Sequence, residues 1–262
     1  MFASPGAILI QIGPLAIRWY GLLIACAFLI GILLAQREAR RRGEDPEELV
    51  NVAMVAIIAG LIGARLYYVI FNWGEYSARP WKMIAIWEGG LAIHGGLLAG
   101  ILVGVIWARR RNLPILIYLD IVAPSMVLGQ AIGRWGNFFN QEAFGTPTDL
   151  PWKLYIEPGH RPIHLAEYDY FHPTFLYESL WNLAVFGVLV LLLRKRLAPY
   201  PGALFLSYLG LYSLGRFFIE SLRIDSLWLG PFRAAQVMSL LLILCAAGGL
   251  WRLLSHPRRR GT

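Results

Sequence analysis

Charged residues are scarce in this chain. Of its 262 residues only 15% are charged and 57% are hydrophobic, whereas about 25% of residues are charged in a soluble domain. The charges form short clusters between long apolar runs, which argues against a soluble domain and indicates a protein that crosses a membrane several times. We therefore attribute the net charge of +8 to membrane topology and expect no nucleic-acid partner, because the cationic clusters lie between apolar runs.

Cysteine is scarce too. Cys26 and Cys245 each lie inside an apolar run, so we expect no disulfide framework, and neither has a histidine or carboxylate nearby in sequence to activate its thiol.

Several catalytic patterns are also missing from the sequence, namely G-x-S-x-G, H-E-x-x-H, the Walker loop and G-x-G-x-x-G. No convincing set of metal ligands is present, so we predict neither a metal site nor a cofactor.

Seven apolar segments are long enough to cross about 30 Å of hydrocarbon. They are Ile17–Gln36, Leu49–Phe71, Leu91–Ala108, Ile115–Ile132, Pro173–Leu193, Gly202–Ile219 and Ala234–Leu253. Some are near the short limit, so six spans remain an alternative. We predict an all-α polytopic membrane protein, with residues 1–262 forming one integral membrane domain and residues 146–172 forming a small external cap.

Clusters of arginine and lysine follow the first, third, fifth and seventh segments. They are Arg37 with Arg40–Arg42, Arg109–Arg111, Arg194–Arg196, and Arg252 with Arg258–Arg260. With seven spans all four clusters lie on one side of the membrane, and the positive-inside rule makes that side cytoplasmic. The N-terminus is then predicted to lie outside and the C-terminus inside.

Residues 133–145, which read GRWGNFFNQEAFG, follow directly on the fourth apolar segment. An arginine, two asparagines and a glutamate (Arg134, Asn137, Asn140 and Glu142) thus arrive where hydrocarbon gives way to water. Ionisable groups at membrane depth cost roughly 2.5–3.5 kcal/mol each, so they usually face a polar cavity or a partner. An arginine fork beside amide and carboxylate groups suits a substrate that carries a phosphate.

Further polar residues are predicted at the same outer level of the membrane. They are Tyr20, His94, Tyr212 and Arg216, with Glu220 continuing the helix face of Arg216 and Arg223 beyond it. Tyr212 and Arg216 are four residues apart and share one helix face. Each candidate also has a simpler interpretation: Arg134 and Arg216 would extend to the interface as isolated side chains, His94 would be a packing residue, and Glu142 would pair with an arginine.

Other polar and small residues have structural interpretations. Arg65 and Asp120 lie at or within apolar segments, where we predict pairing with each other or with backbone groups. Gly60-x-x-Gly63 and Gly96-x-x-x-Gly100 place small residues on single helix faces. Such faces favour close packing of helices in membranes.

Two other functions fit parts of the pattern. A transporter or flippase for an anionic lipid or solute explains the spans and the arginines, but it predicts polar residues across both leaflets or repeated halves, and we find no internal repeat. A membrane acyltransferase would use His164 and Asp169, which match a His-x4-Asp spacing. That function would leave residues 133–145 without a role.

Residues 133–145 resemble the signature of the bacterial prolipoprotein diacylglyceryl transferases, Gly-Arg-x-Gly-Asn-Phe-x-Asn-x-Glu-x-x-Gly, at every fixed position. The resemblance extends from the first to the sixth apolar segment. Its further matches are Arg18-Trp19-Tyr20-Gly21, His94-Gly95-Gly96, His172-Pro173, and Tyr212 with Arg216. The chain departs from the pattern after Arg223, where it has Ile224-Asp225 and a Pro-Asp pair is expected, and the cap carries no motif that we can align.

The resemblance implies an enzyme of the bacterial cytoplasmic membrane with its active site toward the outer leaflet. Such an enzyme transfers the diacylglyceryl group of phosphatidylglycerol to the thiol of the lipobox cysteine in a prolipoprotein signal peptide, and glycerol phosphate leaves. It is the first step of bacterial lipoprotein maturation. Its implied partners are therefore phosphatidylglycerol, the precursor protein and the lipid bilayer.

On this reading the site residues have the following roles. Arg134 and Arg216 clamp the phosphate, and Asn137 and Asn140 position its oxygens. His94 is the candidate base for the thiol, with Glu142 as the alternative. Tyr20 and Tyr212 hydrogen-bond the glycerol headgroup, and Gly145 is assigned to substrate binding because a glycine allows a ligand to approach the backbone.

Overall fold

The computed structural model describes residues 2–13, 15–77, 79–86 and 89–255, most of which are helical. Arg258–Arg260, part of the fourth cationic cluster, lie outside the described residues. Contacts divide the chain into two compact units. The large unit comprises residues 1–34 and 119–262, and the small unit comprises residues 35–118.

Nine α-helices are found among the described residues. They are α1 (Trp19–Arg42), α2 (Pro46–Phe71), α3 (Trp73–Ser77), α4 (Ile93–Arg110), α5 (Ile115–Asn140), α6 (Thr174–Gly187), α7 (Arg194–Arg196), α8 (Ala203–Glu220) and α9 (Ala234–Ser255). A π-helical stretch, Val188–Leu193, joins α6 to α7, so Thr174–Arg196 forms one helix of 23 residues.

The described residues also include seven short strands, which the sequence did not predict. They are β1 (Phe2–Ala3), β2 (Ile8–Ile12), β3 (Leu15–Arg18), β4 (Leu154–Tyr155), β5 (Tyr170–Phe171), β6 (Trp228–Leu229) and β7 (Phe232–Arg233). Strand β4 pairs in parallel with β1 and antiparallel with β5. The β2–β3 and β6–β7 pairs are antiparallel hairpins. The segment 146–172 therefore contributes two strands to a three-stranded sheet that β1 completes.

Six of the helices are long and apolar enough to cross a membrane, which confirms a multi-pass membrane protein. They are α1, α2, α4, α5, the helix Thr174–Arg196 and α9. Helix α8 occupies the sixth predicted segment and has 18 residues, but it is not one of the six. Its 18 residues include Arg216, Glu220 and two tyrosines.

Helix α5 does not end where the apolar pattern ends. We predicted a segment from Ile115 to Ile132, but the helix continues for two more turns to Asn140. The signature arginine and asparagines are therefore helical, on a rigid extension of the span. Hydropathy alone misplaced this end because polar residues within a helix lower the apolar signal without breaking the backbone hydrogen bonds.

Glycines allow helices α2 and α4 of the small unit to pack closely, as predicted. A Cβ added to Gly63 would lie 2.3 Å from Ala99 Cβ and 2.6 Å from the Gly95 carbonyl oxygen. A Cβ on Gly96 would lie 3.2 Å from the Gly60 carbonyl oxygen. Only residues without a side chain fit where the two backbones approach so closely.

Arg65 and Asp120 both pair with the backbone, as predicted, and lie in different units. In the small unit the buried Arg65 guanidinium donates to five carbonyl oxygens in the segment before α4. They belong to Lys82, Met83, Ala85, Gly89 and Gly90, at 2.5–3.3 Å. In the large unit, Asp120 on α5 accepts from the N–H groups of Gly202 and Phe205 at 2.8 Å, which caps the start of α8.

The large unit contains two apolar clusters. One joins α5, α6 and α8 through Ala123, Val127, Val185, Leu189, Leu204 and Tyr208. The other joins the segment 146–172 to the ends of α5 and α6 through Phe144, Leu154, Ile156, Phe171 and Phe175. These clusters fix the ends of three helices that carry the polar residues of interest.

The Gly63→Val substitution should destabilise the protein by about 1–3 kcal/mol, because the new side chain would overlap Ala99 and the α4 backbone. The midpoint of thermal unfolding in detergent measures this effect. Gly248→Ala is the control, because a Cβ at Gly248 on α9 meets nothing within 4 Å. Equal midpoints for the two variants would contradict the close packing of α2 and α4.

Candidate active site

Three arginines converge on Glu178, a buried carboxylate on α6. Its Oε2 lies 2.6 Å from Nη2 of Arg134 on α5, and its Oε1 lies 2.7 Å from Nη1 of Arg216 on α8. Nη1 of Arg223, just after α8, lies 3.1 Å from the same Oε1. One carboxylate on α6 thus links the two arginines predicted from the sequence and adds a third.

A second buried carboxylate completes this cluster. Oε2 of Glu220, one turn after Arg216 on α8, lies 2.6 Å from Arg216 Nη2 and 3.8 Å from Arg223 Nε. Asp225 accepts hydrogen bonds from Arg223 Nε and Nη2 at 3.0 and 2.6 Å. We call these six residues, Arg134, Glu178, Arg216, Glu220, Arg223 and Asp225, the arginine cluster.

The cluster contains three guanidinium groups and three carboxylates, so its formal charges balance. Three guanidinium groups meet two buried carboxylates, and the third carboxylate, Asp225, has a side chain that is 47% exposed. Burial lowers the pKa of Arg223, but its hydrogen bonds to Asp225 and the nearby Glu178 and Glu220 outweigh burial and raise it. Arg223 therefore stays cationic within the cluster.

Arg134 and Arg216 are the accessible arginines of the cluster. Their side chains are 23% and 18% exposed, against 9% for Arg223. Arg134 Nη1 also contacts the Asn137 Oδ1 atom at 3.4 Å. Both guanidinium groups are held in place by carboxylates and are partly open to an incoming ligand, so neither is an isolated side chain extending to the interface.

Residues 133–145, which we call the signature block, contain the end of helix α5 and a strained turn that follows it. Gln141 and Ala143 have φ values of 53° and 56°, which for residues other than glycine cost about 1–3 kcal/mol each. The buried Gln141 side chain offsets this cost by accepting a hydrogen bond from the Glu157 N–H at 2.8 Å. The Ala143 carbonyl accepts one from the Thr174 hydroxyl. Between these residues, Glu142 is exposed.

Glu142 accepts from both signature asparagines. Its Oε1 lies 3.0 Å from Asn137 Nδ2 and 3.3 Å from Asn140 Nδ2. The predicted alternative, in which Glu142 pairs with an arginine, is not what is observed. Since Asn137 also contacts Arg134, a chain of polar contacts leads from Glu142 to the arginine cluster.

Two signature glycines are required by protein packing. A Cβ on Gly136 would lie 2.3 Å from Tyr20 Cδ2, so Gly136 brings the Tyr20 ring against α5. A Cβ on Gly145 would lie 2.8 Å from His172 Cβ and 3.0 Å from the Leu222 carbonyl oxygen. The close approach expected at Gly145 is therefore explained by neighbouring chain segments, and its role in substrate binding stays a prediction.

The remaining predicted residues are placed as follows. Tyr212 lies one turn before Arg216 on α8, with its ring centroid 5.9 Å from that of Tyr208. His94 belongs to the small unit, near the start of α4, where its exposed ring lies 6.3 Å from the Tyr67 ring. The sequence placed His94 with the arginines, and that association stays a prediction.

The pair proposed for an acyltransferase is not formed. Asp169 is paired with Nη2 of Arg161 at 2.8 Å, and His164 is exposed. His172, which carries the His-Pro match, lies with its Nδ1 3.2 Å from the Tyr177 hydroxyl. Burial lowers the pKa of His172, which favours the neutral ring.

Sequence reasoning missed Glu178 altogether, and it placed Glu220 and Arg223 with Arg216 at the outer level of the membrane without assigning them a chemical role. Glu178 stands alone among apolar residues in the fifth predicted segment, and an intramembrane carboxylate is itself a signal of a functional site or of a buried partner. The signal for Glu220 was its spacing of four residues from Arg216 on a helix.

The fold and the arginine cluster define a class: multi-pass helical membrane proteins with a buried network of arginines and carboxylates at the ends of their helices. The sequence profile of one such family, described as prolipoprotein diacylglyceryl transferase, matches residues 7–252. The chain belongs to this family.

Relatives that resemble the chain over nearly its whole length carry the name phosphatidylglycerol–prolipoprotein diacylglyceryl transferase. The one from Trichormus variabilis is 54% identical over 254 residues, which cover 95% of this chain and 90% of the relative. The one from Thermosynechococcus vestitus is 54% identical, covering 96% and 94%. The one from Gloeobacter violaceus is 49% identical over 260 residues, covering 99% and 97%.

Replacing Glu178 with Gln should destabilise the protein by about 3–5 kcal/mol, because removal of one charge from a buried network leaves its partners uncompensated. Thermal unfolding in detergent measures this change. Glu157→Gln is the matched control, since the Glu157 side chain is 54% exposed and lies 3.9 Å from its histidine partner. A Glu178→Gln midpoint equal to that of the control would show that Glu178 does not hold the cluster together.

Proposed function

We propose that this chain transfers the diacylglyceryl group of phosphatidylglycerol to the thiol of the lipobox cysteine in prolipoproteins. The names of its relatives supply the two substrates. The observation that carries the proposal is the arginine cluster, in which two buried glutamates hold three guanidinium groups beside the signature block.

In the proposed reaction the cysteine sulfur attacks the terminal glycerol carbon of the diacylglyceryl group. A C–S bond forms, and the bond between that carbon and the phosphate oxygen breaks. The electron pair leaves with the phosphate, which departs as glycerol phosphate, and a base takes the thiol proton. The enzyme must therefore bind a phosphate whose negative charge increases along the reaction, and it must favour the thiolate.

The arginine cluster suits the first task. Arg134 and Arg216 bind the phosphate through their exposed N–H groups, while Glu178 and Glu220 keep their planes fixed. Donors that are already oriented need little reorganisation when charge develops, which is the main source of electrostatic stabilisation in active sites. Arg223, which is more buried than the other two arginines, adds a third positive charge.

The second task is to favour the thiolate. The amide and carboxylate groups of the signature block contribute to it only in part. Glu142 Oε1 accepts from both Asn137 and Asn140, so we assign Glu142 to orienting these amides toward the substrate. His94 is then the proposed base for the thiol proton. Tyr20 and Tyr212 are proposed to contact the glycerol headgroup.

Purified wild-type protein in detergent, given phosphatidylglycerol and a synthetic lipobox peptide, should increase the peptide mass by one diacylglyceryl group, as measured by mass spectrometry. A peptide with serine in place of cysteine should not react. Arg134→Lys should lose at least about 100-fold in rate, because an ammonium group cannot replace the planar fork in a preorganised anion site.

The matched control for that experiment is Arg111→Lys, because the Arg111 side chain is 55% exposed in the small unit and pairs with Glu48. Wild-type turnover by Arg134→Lys would remove the phosphate clamp. No modified peptide, together with movement of lipid between the leaflets of proteoliposomes, would favour the flippase.

The same proposal includes a membrane topology. We infer that α8 is a seventh span, that the N-terminus and residues 146–172 lie outside the cytoplasmic membrane, and that the arginine cluster lies toward the outer leaflet. The support is that seven spans place all the cationic clusters on one side. Asp120, by capping the start of α8 from α5, also ties α8 to a membrane helix.

Cysteine labelling in spheroplasts tests this topology, on a background with both native cysteines replaced by alanine. A membrane-impermeant maleimide should label Asp149→Cys, before α6, and Leu227→Cys, after α8. It should not label Ala198→Cys, between α7 and α8, until the cells are opened. Labelling of Asp149→Cys without Leu227→Cys would mean that α8 does not cross the membrane.

A further inference from the structure

A short hairpin links the arginine cluster to the last membrane helix. Strand β6 (Trp228–Leu229) and strand β7 (Phe232–Arg233) pair antiparallel. Their turn contains Gly230 at a φ of 62°, a backbone conformation that favours glycine. Helix α9 begins at Ala234, directly after β7, and the Ala234 N–H donates to the Leu227 carbonyl at 2.8 Å. The hairpin is thus fixed at both ends.

Arg233 turns back from this hairpin toward the end of α8. Its Nη1 donates to the Arg223 carbonyl at 2.9 Å and to the Ser226 hydroxyl at 3.2 Å, and it also contacts the Glu220 carbonyl. The guanidinium lies 5.3 Å from the Trp228 ring centroid. These contacts are with backbone carbonyls, a hydroxyl and an aromatic ring, whereas the three arginines of the cluster pair with Glu178.

The two carbonyls that Arg233 binds belong to cluster residues. Glu220 is the last residue of α8, and the carbonyls of a final helical turn have no partner within the helix. A cation at that end is favourable because it also meets the negative pole of the helix dipole. By binding the carbonyls of both Glu220 and Arg223, Arg233 fixes the turn from which both side chains project.

We propose that Arg233 is a positioning residue for the phosphate clamp, acting through Glu220 and Arg223 without touching the substrate. This inference rests on the proposed function. Loss of Arg233 would let the turn Glu220–Arg223 shift relative to Glu178, and misplacement by about 1 Å can cost up to 100-fold in rate. The effect then falls on transition-state binding of the phosphate and leaves recognition of the peptide unchanged.

A double-mutant cycle tests this proposal, with Arg233→Gln, Arg223→Gln and the two together in the peptide-modification assay. Arg233→Gln should lower kcat by about 10-fold or more, with an unchanged KM for the peptide, and Arg233→Lys should recover part of the loss. In the Arg223→Gln background, Arg233→Gln should add less than about twofold, because residues that act as one unit are not additive.

Arg161 offers a matched control for the cycle. It too donates to backbone carbonyls, those of Ile156 and Ala166, and it lies against the ring of Tyr155, but it does not contact the cluster. Arg161→Gln should leave kcat within about twofold, and its effect should multiply with that of Arg223→Gln. Thermal midpoints identify a variant that fails to fold; if Arg233→Gln fails, the same cycle with Arg233→Lys decides.

Independent, multiplicative losses from Arg233 and Arg223 would overturn the proposal, as would a kcat effect no larger than that of Arg161→Gln. A loss confined to the KM for the peptide would overturn it as well. These outcomes differ from a failure of the proposed function, which would show as no modified peptide from the wild-type protein and would overturn both.

Discussion

The buried carboxylate of Glu178 is the interaction on which the candidate site depends. It is the one group in the described structure that contacts Arg134, Arg216 and Arg223 together, and these come from α5, α8 and the turn after α8. Without a carboxylate between them, three guanidinium groups would repel one another in a medium that screens charge poorly. The ends of α5 and α8, which carry these arginines, could then not lie so close together. The apolar cluster of α5, α6 and α8 packs these helices together. Glu178 offsets part of the positive charge at their ends, so the arginines can lie close to one another as well.

Such a cluster is costly to bury, which indicates its purpose. A buried ion pair rarely stabilises a protein more than apolar residues of similar size would, because each charge loses its hydration. The strained turn at Gln141 and Ala143 adds a further local cost of the kind that concentrates at active sites. The proposed stabilisation of a phosphate leaving group would explain both costs, since its donors have to be oriented before the reaction begins. The asparagines and Glu142 extend the same polar network toward water.

The alternatives considered from the sequence differ in how well they fit. The acyltransferase pair is not formed, because Asp169 is held by Arg161. A transporter would distribute polar residues across the membrane, whereas the arginine cluster gathers around the ends of α5, α6 and α8. Arg65 and Asp120, which lie elsewhere in apolar segments, bind backbone groups of the loop before α4 and of the start of α8. Membership of the diacylglyceryl transferase family agrees with this distribution.

Hydropathy and residue order determined much about this protein: the membrane class, the positions of most helices to within a few residues, the packing glycines, and the family through residues 133–145. These features are local, because the apolar length of a segment and the residues of a continuous motif can be read without knowing what lies beside them. The tertiary structure decided the rest. In it α5 extends to Asn140, and Glu178 contacts three arginines. Glu142 accepts hydrogen bonds from two amides, and Gly145 packs against neighbouring segments. The pairing of Glu178 and the packing at Gly145 depend on contacts between residues far apart in the chain, so the sequence could mark Glu178 as an intramembrane carboxylate but could not name its partners. The contacts of Glu142 with Asn137 and Asn140 are local, and so is the end of α5, which hydropathy misplaced because polar residues lower the apolar signal without ending a helix.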